Sequence, residues 1–388
     1  MHPEILKKAK KLQNQLSELI PKISENISEK EVLEKWNSYQ PTKKKIFAIG
    51  EDGSINKKHY LGFYLYAVSG FSYGQKNGKK IEELVGDINI SVIKITEKAD
   101  SYFRLLMFLS ELKSIVKLAN KEKADLLLID GTLSSKFIVP PPKTNWFIDK
   151  EFGGELANAA GSLIKDIKEK LFDFDITSFS EEIQIKAQMQ IKERLNEKPR
   201  RDILEAFLSK LVYFEYLLVL YELFYGLEHN PLVIGVAKTS TDTELFNRSI
   251  PDIRILHKFI RDTGYTEPIT ISFESKAKQK TQEWEFSEVF EKLENKIASA
   301  LKDITIKYFY AKYNIGRTIS LIEVYENPNR ETVNPKEILD YLNYLASGSY
   351  PFYLIRADKQ VRITNEDMKN IEIILGLQNE LTGREELI

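Results

Sequence analysis

Two carboxylates stand where apolar runs meet glycine turns. The first run is Ile46-Phe47-Ala48-Ile49-Gly50-Glu51-Asp52-Gly53-Ser54, and the second is Asp125-Leu126-Leu127-Leu128-Ile129-Asp130-Gly131-Thr132. Each reads as a strand whose last acid is delivered to solvent on a glycine-hydroxyl turn. Side by side, Asp52 and Asp130 would hold a hard divalent cation, which takes oxygen ligands. Hydrolysis with two ions asks for three or four carboxylates, with space left for phosphate and water. Glu111 is the third candidate. It interrupts an apolar helix face between Phe108 and Ile115, where an unpaired charge is costly. A cation is one partner for it; Arg104, earlier on the same face, is the protein alternative.

Two further signals carry a basic or aromatic contribution. Lys238 ends the run Val233-Ile234-Gly235-Val236-Ala237 and opens a Thr-Ser-Thr-Asp turn, a position from which an ammonium group can offset charge on a scissile phosphate. Tyr308, Tyr310 and Lys312 alternate along one strand and share a face. That pattern suits base stacking with phosphate neutralisation, and equally ordinary cross-strand packing.

The elements that must position these residues follow from periodicity. Residues 1–40 form an N-terminal helical arm, with Ile5, Leu12, Leu16 and Ile20 as an apolar stripe and Pro21 as its break. Strands at 45–50, His59–Tyr73 and Ile88–Ile95 make an antiparallel meander. A helix over Ala99–Glu122 carries Glu111 and feeds the strand 126–130. Three consecutive prolines make 137–145 a loop. A charged helical insertion spans about 151–228 and ends in the aromatic, leucine-rich stretch Ile203–Leu227. Strand character returns at 232–238, 269–273, 306–313 and 319–325. A helix at 335–346, the run Tyr350–Arg356 and a last helix at about 365–377 complete the chain. Meander, helix, then strand suggest an α/β fold, a ribonuclease H-like mixed sheet core with added helices and a helical insertion.

Composition narrows the chemistry further. A chain of 388 residues buries a sizeable core, as two or three average domains or one large one. With no cysteine there is no disulfide, thiolate zinc site or cysteine nucleophile. Only four histidines are present, so a metal must be held mainly by oxygen, which favours magnesium or manganese. Net charge is −1, so any nucleic-acid surface must be a local basic one. The charge-rich, cysteine-free composition suits a thermophile. No apolar run approaches the roughly 18–20 residues of a membrane span, and the N-terminus lacks a signal-peptide core; cytoplasmic location is the default expectation.

In this order the pieces resemble the NurA nuclease family of archaea and some bacteria. Asp52-Gly53-Ser54 is similar to that family's first motif, and Glu111 and Asp130 to its second and third acidic positions. Gly235-Val236-Ala237-Lys238-Thr239-Ser240 resembles its lysine motif. Pro251-Asp252-Ile253 and Thr263-Gly264-Tyr265-Thr266-Glu267-Pro268 resemble its middle section. Tyr308–Lys312 with Ile322-Glu323-Val324 resembles its tyrosine strand and neighbour, and Gly348–Asp358 its last motif. The likeness runs over about residues 45–375, so that 45–388 reads as one nuclease domain. It implies a deoxyribonuclease dependent on Mn2+ or Mg2+, with two ions. It also implies 5′-3′ exonuclease and single-strand endonuclease activity on single-stranded and duplex DNA ends. A homodimer working with the HerA hexameric ATPase in end resection for double-strand break repair is implied as well. The implied metal ligands are Asp52, Glu111, Asp130 and Asp358, with Lys238 and Tyr310 assisting catalysis; Tyr308, one strand period away, is the alternative tyrosine. One departure stands out: the family usually has histidine where this chain has Asp358.

Two other readings remain open on the residues. Pro251-Asp252 followed by Glu274-Ser275-Lys276 fits a loose restriction-endonuclease pattern using Asp252, Glu274 and Lys276. The change at Asp358 also fits a DNA-binding scaffold with a weakened metal site.

Overall fold

The computed structural model describes residues 2–19, 27–91, 97–137, 139, 146–196, 200–273, 291–316, 318–332 and 334–382. After helices α1 (Pro3–Leu19) and α2 (Glu29–Glu34), strand β1 (Trp36–Ser38) opens the sheet at one edge. Strands β2 (Ala48–Tyr60), β3 (Phe63–Lys76) and β4 (Lys79–Ser91) follow as a long antiparallel meander. Helix α3 (Glu97–Glu122) returns across it to β5 (Leu126–Asp130), which pairs parallel with β2. Then come α4 (Leu133–Phe137), α5 (Trp146–Gly161), α6 (Ile164–Glu169), α7 (Glu181–Leu195) and α8 (Arg201–Tyr221).

Strand β6 (Leu232–Ala237) pairs parallel with β5. The remaining elements are α9 (Asp252–Phe259), β7 (Gly264–Thr266), β8 (Ile269–Ser272), α10 (Asn295–Lys302), β9 (Thr305–Lys312) and β10 (Ser320–Tyr325), then α11 (Pro335–Leu345). A two-stranded turn, β11 (Ala346–Ser347) with β12 (Tyr350–Pro351), leads into α12 (Phe352–Val361) and α13 (Asn365–Ile374). The main sheet has ten strands in the order β1-β7-β9-β10-β6-β5-β2-β3-β4, with β8 beside β9. An antiparallel meander extended beyond its first strand by two parallel strands, β5 and then β6, is the ribonuclease H-like core, here widened at its far edge.

The sheet is covered on both faces. On one, Ile49, Leu127, Ile129 and Val233 pack beneath α3 and the α5–α8 helices in the largest apolar core. On the other, Leu128, Ile234, Val236 and Ile322 pack against Leu339, Leu342 and Leu354 of α11 and α12. Strands buried on both faces read as continuous apolar runs, which is why 126–130 and 232–237 were legible. Helix α8 is buried almost throughout, so the helical region is part of the core as much as an addition to it.

Several element boundaries differ from expectation. The first meander strand does not stop at a glycine turn: β2 continues through Asp52-Gly53-Ser54 to Tyr60, paired with β3, so Asp52 lies within the strand just past the end of its pairing with β5. The third meander strand is Lys79–Ser91; the expected end at 92–95 lies outside the described residues. Trp36 ends no helix but starts β1, pairing with Thr266 at the sheet edge. The run Tyr350–Arg356 is mostly helix: Leu354, Ala357 and Val361 of α12 are buried at helical spacing. Among the described residues, no helix is long and apolar enough to cross a membrane.

Candidate metal centre

Asp52 and Asp130 meet because β2 and β5 run parallel and in step. The pairing Gly50↔Leu128 and Glu51↔Ile129 brings the next residues, Asp52 and Asp130, level where β5 ends and β2 runs on paired with β3. Both belong to the sheet face covered by α12. Gly50, two residues before Asp52, lies under Leu354, and Ser54, two after, accepts a hydrogen bond from the Ile363 N–H. The Tyr350 hydroxyl shares its single proton between Asp130 Oδ1 and the Val236 carbonyl, and so pins the end of β5 to β6. Asp52 Oδ1 accepts the Gly53 N–H at 2.8 Å.

Glu111 arrives from the opposite face. Helix α3 crosses the meander in backbone contact: a Cβ on Gly70 would lie 2.1 Å from the Ser110 carbonyl carbon. Glu111 then reaches over Gly53, whose missing Cβ would stand 2.1 Å from Glu111 Oε1. Glycine after Asp52 is therefore a steric requirement, because any side chain there would displace the glutamate. The partner of Glu111 is not Arg104, which is exposed, but Lys136 of α4, whose Nζ donates to Glu111 Oε2 at 2.6 Å. The same ammonium group donates to Glu51 Oε1 at 2.6 Å.

Four carboxylates thus crowd one end of the sheet around one buried ammonium group. Burial pushes the Asp52 carboxyl up to about 7, with Asp130 and Glu51 adding repulsion. Burial likewise raises Glu51 and Glu111 against the opposing pull of Lys136. Burial disfavours the Lys136 charge, but Glu111 and Glu51 outweigh it and hold the ammonium form well above its usual range. Glu51 Oε2 is buried with no hydrogen-bond partner.

Hard oxygen donors, surplus negative charge and an orphaned carboxylate oxygen together fit a magnesium or manganese ion. Among the described residues, no three acid or histidine side chains yet converge as closely as a bound ion would draw them. Asp52 and Asp130 engage Gly53 and Tyr350, so completing a ligand set is a matter of turning those side chains.

The other candidates lie at graded distances from this centre. Lys238 follows β6 at the same sheet end, exposed, with Nζ 3.9 Å from the centroid of the Tyr350 ring. Asp358 sits on α12 between Leu354, which covers Gly50, and Val361, whose carbonyl accepts from Ser69 Oγ. That places it alongside Asp52, but its carboxylate is engaged by Arg362 at 2.6 and 3.3 Å. Tyr310 is on β9, separated from β5 by β10 and β6. It is 1% exposed, and burial together with Asp252, Asp242 and Glu244 raises its hydroxyl far above the usual range. Tyr308 is also buried and donates to Glu244 at 2.8 Å. Neither tyrosine offers a ring for base stacking, and Lys312 donates to the Arg261 carbonyl; this shared face is packing. Asp252 is buried and accepts the N–H groups of Leu245 and Phe246, a turn-stabilising role. Glu274 and Lys276 lie outside the described residues.

Glu51, Lys136 and Tyr350 were not read from the sequence. Glu51 carried a signal, since a charge within an apolar strand needs a buried partner. Lys136 and Tyr350 carried none, because their contacts span 25 and 220 residues of chain.

Residues 44–363 match the NurA domain. The chain belongs to the NurA family. Relatives include the probable DNA double-strand break repair nuclease NurA of Methanocaldococcus jannaschii, 26% identical over 96% of this chain and 89% of the relative. The DNA double-strand break repair nuclease NurA of Saccharolobus solfataricus is 25% identical over 97% and 94%. Among solved structures, the NurA nuclease from Sulfolobus solfataricus shares the fold with a TM-score of 0.64 at 22% identity, over 97% of both chains. A NurA structure with manganese gives 0.67 at 18% identity over 98% and 99%. One bound to dAMP and manganese gives 0.65 at 18% identity over 97% of both chains.

Proposed function

We propose that this NurA-family chain, a DNA nuclease, hydrolyses DNA phosphodiesters at the Asp52–Asp130 pair with manganese or magnesium. The observation that carries this reading is the in-step meeting of Asp52 and Asp130 with Glu111 reaching over Gly53. Manganese and dAMP in NurA structures of the same fold support the choice of ion and substrate. Bound ions supply Lewis acidity for water activation and for the leaving 3′ oxygen. Asp52, Glu111 and Asp130 provide the oxygens that hold them, and Asp358 joins when its carboxylate leaves Arg362. Lys238, exposed above the Tyr350 ring, meets the incoming phosphate. Tyr350, not Tyr310, is the tyrosine that touches an acid of the centre; Tyr310 supports the β9 face behind it.

The finer activity follows the family resemblance: 5′-3′ exonuclease and single-strand endonuclease action in end resection, by a homodimer working with a HerA-type hexameric ATPase. Exposed apolar side chains on α1 (Ile5, Leu6, Leu12, Leu16) and at the end of α13 (Ile373, Ile374) support a self-associating surface. The test is cleavage of 5′- and 3′-labelled single-stranded and duplex DNA with manganese, comparing wild type with Asp52→Ala. Loss of all cleavage in a folded Asp52→Ala protein is expected. Cleavage that survives Asp52→Ala or a chelator overturns the assignment, and DNA binding without cleavage by the wild type favours the scaffold reading.

A further inference from the structure

A single buried node connects the carriers of Asp52, Glu111 and Asp130. Glu51 is fully buried, and its Oε1 accepts both Lys136 Nζ at 2.6 Å and the backbone N–H of Asp130 at 3.3 Å. Through the first contact it is tied to Glu111, whose Oε2 takes the same ammonium group. Through the second it fixes the backbone from which the Asp130 side chain springs. Asp52 is its immediate neighbour in β2, pointing to the other face.

The two oxygens of Glu111 are thereby divided. Oε2 is held by Lys136, while Oε1 lies over Gly53, the residue after Asp52. Lys136 is itself anchored. Its helix α4 begins at residues whose N–H and hydroxyl are captured by a carboxylate from β10: Ser134 N and Oγ both donate to Glu323 at 2.7 Å. Lys136 is 2% exposed and reaches no solvent from which it could neutralise substrate. Its ammonium also lies 5.6 Å from the centroid of the Phe108 ring on α3. Everything around it is built to hold it still.

We propose that Lys136, with Glu51, is a positioning pair that sets Asp52, Glu111 and Asp130 for metal capture, rather than a group that touches substrate. This rests on the nuclease reading of the centre and adds to it the residues that orient the ligands. Outer partners of metal ligands typically contribute about 10–100-fold in affinity when removed. A bridging cation between Glu51 and Glu111 can be replaced by guanidinium, which offers donors to two carboxylates, but not by methionine of similar length.

The test is manganese chloride titration by calorimetry of full-length wild type, Lys136→Met, Lys136→Arg and Glu51→Gln, with circular dichroism and melting curves for each. Lys136→Met is expected to weaken manganese binding by about 10–100-fold, with Lys136→Arg recovering part of the loss. Cleavage by Lys136→Met should return toward wild type as manganese is raised, a recovery that general unfolding would not give. Should Lys136→Met fail to fold, Glu51→Gln carries the test, and weaker manganese binding is expected there too. Unchanged or tighter binding in folded Lys136→Met or Glu51→Gln overturns the proposal and would make Lys136 a competitor of the metal. Because binding is read by heat, this result stands apart from cleavage: a wild type that binds manganese but leaves DNA intact would remove the nuclease reading alone.

Discussion

Helix α3 carries two buried glutamate–lysine assemblies within three residues of each other, and they are built on opposite plans. Lys113 pairs with Glu215 of α8 at 2.8 Å, both side chains fully buried. Its ammonium group also donates to the Asp175 carbonyl and Thr177 Oγ1, which uses all three of its protons. Glu215 accepts in addition the N–H groups of Thr177 and Ser178 and the Ser178 hydroxyl. Nothing there is left to bind. Around Lys136, by contrast, two carboxylates share one ammonium group, with Asp52 and Asp130 nearby, and Glu51 Oε2 has no partner. A closed ion pair fastens helices; an over-charged, incompletely bonded one is the arrangement expected where function rather than packing sets the charges.

The sharpest way to break this comparison is a matched pair of substitutions. Lys113→Met leaves Glu215 buried with its cation removed, and a destabilisation of about 3–5 kcal/mol is expected in denaturant unfolding. Asp130→Asn should leave the melting temperature near or above wild type, because it relieves repulsion, while abolishing cleavage in the same manganese assay. If Asp130→Asn destabilised the fold as much as Lys113→Met, the two assemblies would be alike and the centre structural.

A smaller effect sharpens the comparison through pH. Asp87 of β4 borders the closed pair; burial, then the charge of Asp175, raises its carboxyl to about 7. Its folded value lies above the unfolded value near 4, so the folded state prefers the protonated form. Its contribution is fully favourable below about pH 4 and is lost as pH rises through about 7. Asp87→Asn is therefore expected to flatten the fall in melting temperature between pH 5 and pH 8. An unchanged slope would show that the carboxyl titrates normally.

The smallest effect concerns Asp358. Its pair with Arg362 is solvent-exposed and spaced by four residues on α12, so Arg362→Ala should leave the melting temperature close to wild type. If Asp358 is a ligand, freeing it lowers the manganese concentration needed for half-maximal cleavage. An unchanged requirement would remove Asp358 from the ligand set and leave three acids.

Much of the centre was readable in advance because its carriers are local. An apolar run that delivers an acid before a glycine announces itself, although at Asp52 the strand runs on through Gly53, and so does a glutamate breaking an apolar helix face. The tyrosine face of β9 shows the limit of this logic. Alternation correctly placed Tyr308, Tyr310 and Lys312 together, but period 2 does not say whether a face meets solvent or another layer. Here α9 and the Phe246 turn cover it.

The sequence alone determined which acids could face a cation, that the cation must be hard, and that a meander, the helix after it and the next strand would carry the ligands. Those are properties of side-chain chemistry and short-range periodicity. Only the tertiary structure decided that Glu111 meets Lys136 in place of Arg104, that Glu51 and not Asp52 faces inward, and that Tyr350 bonds Asp130. These contacts join segments distant in sequence, and their choice is made by parallel strand register and the close crossing of α3 over Gly70 and Gly53. No residue type announces such a contact, because its energy exists only once the layers have packed.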